Sequence, residues 1–208
     1  MGMLVVDEYT TIDHADRAEI KVKGSRFIAE AFQVVSEEET LTRLESVRKR
    51  EFQATHHCYA YVLGAPVASQ FKYSDDGEPS GTAGKPIYDL IIGRSLTNVL
   101  VVVTRYFGGT RLGTGGLARA YSDAARAVLD RSGTRINYMT CRFRCEIEFS
   151  FYDSWQRELR RLGAYTVDAR FSDRVTLVID VRRSGAAELA ESLAELTSGK
   201  GLLEEIDA

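Results

Sequence analysis

Five apolar residues in a row, 99–103, are what a strand covered on both faces requires, because side chains alternate across the pleat and neither face is left for polar groups. The run ends in Thr104, Arg105, Tyr106 and Phe107, and Gly108, Gly109, Gly113, Gly115 and Gly116 crowd the residues that follow. Leu117, Ala120, Tyr121, Ala124, Ala125, Val128 and Leu129 then recur at helical spacing and predict one apolar stripe. Arg119, Asp123, Arg126 and Asp130 fall on the opposite face, at separations that allow ion pairs.

Upstream, residues 19–35 read as strand, turn at Gly24-Ser25, and strand. Ser36 with Glu39 forms a capping box opening a helix whose stripe is Leu41, Leu44 and Val47, with Phe52 extending the contact. His56, His57 and Cys58 lead into a strand at 59–63, with His56 and Cys58 on one side and His57 on the other. Residues 73–86 show neither period and predict a long loop, after which Lys85-Pro86 starts a helix over 87–94. Beyond the polar stretch 134–138 the pattern restarts. Phe143, Cys145, Ile147 and Phe149 alternate as a half-buried strand, and a helix with Trp155, Leu159 and Leu162 is capped by Asp153 or Ser154. Two alternating strands flank Ser172-Asp173, then come a helix with Leu189, Leu193 and Leu196 and a short strand at 202–206. That β-α-β-β-α-β order is ferredoxin-like. The fold class is α+β, in two α/β sandwich domains, 1–135 and 140–208.

Composition narrows the function classes. With 44% hydrophobic and 27% charged residues the chain of 208 is ordinary globular protein. Lysine plus arginine balances aspartate plus glutamate at 17 each up to Met139 and stands at 10 against 13 from Thr140 on. Neither half has the bulk positive field of a non-specific nucleic-acid binder, so any such contact is a local patch. Cys58, Cys141 and Cys145 are odd in number and form no CxxC, which predicts reduced thiols. No run approaches a membrane span and the N-terminus carries no basic-then-apolar leader, so the expected location is cytoplasmic, with no membrane contact.

Buried strand, glycine loop and amphipathic helix together can build an anion site, because the first amides of a helix have no internal partner. Neither GxxxxGK[ST] nor GxGxxG fits the letters. Arg105, Arg111 and Arg119 bracket the loop with planar donors suited to phosphate or carboxylate, and Gly113, Thr114, Gly115 and Gly116 supply the amides. Ser80, Thr82 and Lys85 in the second loop add donors. The bland alternative is that the glycines serve only a tight strand-to-helix joint. Asp75 and Asp76, with Glu78, are candidates for an acid or a divalent-cation site, against a solvated turn as the alternative. His56 and Cys58 are too few for zinc without distant help, and no metal or cofactor is expected.

The stretches SDDGEPSGTAGKPI (74–87) and NVLVVVTRYFGGTRLGTGGLARAYSDAA (98–125) strongly resemble the two-part signature of the IMPACT family in its bacterial, YigZ-type form. KGSRFIA (23–29) and HHCYAY (56–61) match its other blocks, and the resemblance covers about residues 18–135. It implies an N-terminal fold like a ribosomal-protein domain and the GHMP kinases, a C-terminal domain like one of elongation factor G, and a link to regulation of translation. Two functions follow as expectations. One is a binding protein of translation control that contacts RNA, the ribosome or a protein regulator through residues 108–119. The other is an enzyme acting on a phosphorylated small molecule or nucleotide, with Asp75 or Asp76 as base or metal ligand.

Overall fold

The computed structural model describes residues 7–64 and 69–206, which divide into two compact units. One is Tyr9–Asn137; the other runs from Tyr138 onward and takes in Asp7 and Glu8. Asp7 belongs there because its carbonyl accepts from the Met139 amide at 2.6 Å and its carboxylate from the Ser184 amide at 2.7 Å. The residues that bear on a leader, 1–6, lie outside the described ones. Among the described residues no helix is long and apolar enough to cross a membrane.

The first unit runs β1 (Glu8–Ile12), β2 (Asp16–Val22), β3 (Ser25–Gln33), α1 (Glu37–Arg50), β4 (His56–Leu63), β5 (Gln70–Ser74), α2 (Gly84–Gly93), β6 (Val99–Tyr106), α3 (Gly113–Ser132) and β7 (Thr134–Tyr138). β1 pairs with β7, and the other strands form one antiparallel sheet in the order β2-β3-β6-β4-β5. β3 and β4 both oppose β6, so the α1 crossover joins two parallel strands with one strand between them. The five-residue apolar run of β6 has its expected reason. Val99, Val101 and Val103 pack under α2 and α3 with Phe27, Ala29, Ile87 and Leu129, while Leu100 and Val102 pack with Leu44, Val47 and Tyr61 on the α1 side. All seven stripe residues of α3 are buried, and Arg119 is exposed.

α1 opens as expected: the Ser36 hydroxyl accepts from the Glu39 amide at 3.1 Å, and the Glu39 carboxylate reaches back to the Val35 amide. Its buried face is Thr40, Leu44 and Val47, however. Leu41 and Phe52 are corrections, 49% and 72% exposed, because the face that meets the sheet is turned toward Thr40 and the helix ends before Phe52. The stretch 73–86 is less of a loop than its letters suggest. Tyr73 and Ser74 close β5, α2 begins at Gly84, and only residues 75–83 connect them.

The second unit runs β8 (Thr140–Ile147), α4 (Tyr152–Arg161), β9 (Tyr165–Phe171), β10 (Val175–Arg182), α5 (Ala186–Thr197) and β11 (Leu202–Ile206), with antiparallel sheet order β11-β8-β10-β9. Its core gathers Cys145, Ile147, Trp155, Leu159, Leu177, Ile179 and Leu189. Neither Asp153 nor Ser154 caps α4; a 3-10 turn, Phe149–Phe151, feeds directly into the helix and leaves Phe149 off the strand.

Candidate functional site

The antiparallel ladder brings the starts of β3 and β4 beside the end of β6. Arg105 therefore faces Phe27 on one side and His56 on the other. Its position in the alternation turns it to the α2–α3 side, where it is 5% exposed. A buried guanidinium needs a counter-charge. The Glu78 carboxylate supplies it: Oε1 accepts from Arg105 Nη1 at 2.6 Å and from the Tyr121 hydroxyl at 2.8 Å. The Glu78 side chain is only 4% exposed. Arg105 also lies between the Phe27 and Phe107 rings, 5.4 Å and 5.5 Å from their centroids.

The glycine loop is anchored at its first residue. Gly108 runs so close to the β2–β3 turn that a Cβ there would overlap the Gly24 carbonyl carbon. The buried Ser25 hydroxyl, in the same turn, accepts from the Gly108 amide at 3.1 Å. This ties the Lys23-Gly24-Ser25 turn to the loop after β6. At the far end α3 opens at Gly113 with no side chain capping its first amides.

The acidic loop is held from within. Asp75 Oδ1 accepts from the Ala83 and Gly84 amides at 2.9 Å and 2.8 Å, and Oδ2 from Gly81 at 2.8 Å, so this carboxylate caps α2. Asp76 accepts from Arg48 at 2.9 Å and from the His57 amide at 2.7 Å. The His56 Nδ1 lies 2.7 Å from the Asp76 carbonyl, which can only accept; Nδ1 therefore carries a proton, and Nε2 points toward Glu78 Oε1 at 3.9 Å. Among the described residues no three His, Cys, Asp or Glu side chains gather as a metal site.

These elements enclose an open cleft of about 540 Å³ lined by His56, Glu78, Arg105, Phe107, Arg111 and Thr114, with Gly77, Pro79, Leu112, Gly113 and Leu117 between them. Of the anion-site residues read from the sequence, Arg105, Arg111, Gly113 and Thr114 line it, together with Glu78 from the acidic set and His56. Gly115 and Gly116 continue the helix behind them, and Arg119 is exposed farther along α3. Ser80 is exposed, Thr82 donates to the Pro79 carbonyl, and Lys85 pairs with Asp89 at 2.6 Å; none of the three lines the cleft. Burial raises the Cys58 thiol and the Tyr121 hydroxyl far above their ordinary values, so both stay protonated, and Cys58 donates to the Asp75 carbonyl. Glu78 reads from the sequence only as a cation ligand and His56 only as one of too few zinc ligands, and nothing in the sequence points to Phe107. The one available signal was Arg105 itself, a charge closing a strand whose neighbours are all buried.

The Impact N-terminal domain model matches residues 23–129, which contain every cleft residue. The chain belongs to the IMPACT family. A second match, to a domain of unknown function (DUF1949), covers residues 145–200. IMPACT family member YvyE of Bacillus subtilis is 33% identical over 97% of this chain and 92% of its own. IMPACT family member YigZ of Escherichia coli is 33% identical over 86% of this chain and 88% of its own. A crystal structure described as that of a hypothetical protein is 29% identical and covers 98% of this chain and 99% of its own, with a TM-score of 0.72.

Proposed function

We propose that this IMPACT family protein is a cytoplasmic, translation-associated regulatory binding protein whose first unit contacts RNA, on or off the ribosome, by its phosphates at the glycine-loop cleft. The observation that carries this is the start of α3: uncapped amides at Gly113 and Thr114 open on a cleft whose rim holds the exposed Arg111. Free amides, the positive end of a helix of 20 residues and a guanidinium all favour the same anion. The family's link to translation control supplies the setting. The catalytic reading has less behind it, because Cys58 and Tyr121 are held protonated and Asp75 and Asp76 are engaged by backbone amides and Arg48. We also assign the chain two separable domains that divide between residues 135 and 140, with Asp7 and Glu8 going with the second.

Sedimentation with ribosomes and titration with a short single-stranded RNA at low salt test the reading. Wild-type protein should bind, and Arg111→Ala should weaken binding and lower the salt slope by roughly one. Association with translation proteins alone, with no RNA bound at low salt, would make a protein regulator the partner instead.

A further inference from the structure

The cleft offers two different kinds of group, and an anion satisfies only one of them. At the rim stand the α3 amides and Arg111. At the floor stand acceptors. Both hydrogen bonds to Glu78 fall on Oε1, and among the described residues nothing donates to Oε2, although the side chain is 4% exposed. An acceptor on a cleft-lining side chain that has no protein donor is free to take one from a ligand. His56 lines the same floor, with Nε2 3.9 Å from Glu78 Oε1. Between rim and floor is the Phe107 ring, 49% exposed, with the Arg105 guanidinium over one side of it.

We propose that the cleft takes a single nucleotide whose base carries an exocyclic amine, as adenine and cytosine do. The phosphate rests on the Gly113 and Thr114 amides with Arg111, the base stacks on Phe107, and its amino group donates to Glu78 Oε2. The cleft volume of about 540 Å³ falls within the usual span for small-ligand sites, about 300–1,000 Å³. Stacking on an aromatic side chain tolerates either base, and a carbonyl at the amino position would face the Glu78 Oε2 acceptor with no donor of its own there. This rests on the RNA reading above and names the unit of RNA that enters the cleft.

Calorimetric titration of the full chain with AMP, IMP and inorganic phosphate tests it. AMP should bind, and IMP, which replaces the amine by a carbonyl, should bind roughly tenfold more weakly or worse. Inorganic phosphate should be weaker than both. Phe107→Ala, a change at an exposed side chain that leaves the fold intact, should weaken AMP roughly tenfold and leave phosphate unchanged. Equal affinity for AMP and IMP, or for AMP and phosphate, overturns base recognition. RNA binding that depends on Arg111 with no response to AMP overturns the nucleotide pocket and leaves the RNA reading standing; loss of both removes both.

Discussion

Arg105 and Arg111 lie six residues apart on the same cleft and do opposite work. Arg105 is buried against Glu78, with side-chain exposures of 6% and 4%, so removing it strands a carboxylate away from water. Arg105→Ala should therefore cost roughly 3–5 kcal/mol in denaturant unfolding. Arg111→Ala, at an exposed position, should stay within about 0.5 kcal/mol and act on binding alone. Similar losses from both would mean that the Arg105–Glu78 pair does not support the fold. His57 carries a pH dependence. Burial lowers its affinity for a proton below the ordinary value, against the pull of Asp76, while the unfolded chain protonates near about pH 6.5. The unfolded state then binds more protons, so stability should fall as pH drops below about 6.5. The difference in unfolding midpoint between pH 7.5 and 5.5 should shrink in His57→Gln; an unchanged difference would assign the slope to other groups.

At the scale of elements, what was legible followed periodicity and what was not followed long-range pairing. β6 and α3 could be read because an unbroken apolar run and an i, i+3, i+4 stripe each describe one environment. The Ser36 cap could be read because its partner is three residues away. The pairing of Glu78 could not: it sits in a run of turn-forming letters, and its partners Arg105 and Tyr121 are 27 and 43 residues distant. Asp75 looked like a ligand because only the folded loop shows the amides of Gly81, Ala83 and Gly84 turned onto it. Ser80, Thr82 and Lys85 lie outside the cleft for a related reason, since composition and not a fixed spacing suggests them. The start of α3 makes a separate test. A Cβ at Gly115 meets nothing within 4 Å, so Gly115→Ala should stabilise the protein by about 0.5–1 kcal/mol, read from the unfolding midpoint. A lower midpoint would show that the helix begins after residue 115.

For the whole molecule, the buried hydrophobic residues among those described gather in three clusters. Two lie within Tyr9–Asn137, on the two faces of its five-stranded sheet, and the third lies within the ferredoxin-like unit. Each unit thus has the means to unfold by its own cooperative step. Scanning calorimetry should resolve two transitions, or one whose calorimetric enthalpy exceeds the van't Hoff value. A single two-state transition would show that the units are energetically one. An added nucleotide should raise only the transition of the first unit, because ligand linkage acts on the species that binds.

The backbone contact between Gly24 and Gly108 sets how this cleft can be re-engineered. The loop that carries Phe107 and Arg111 is anchored by bare main chain against bare main chain, with no side-chain volume to trade. In a library randomised at 24, 107, 108 and 111 and sorted for folded protein, glycine should return almost alone at 24 and 108. Phe107 and Arg111, on the open side, should drift freely under that sorting and become restricted only when the sorting is for ligand.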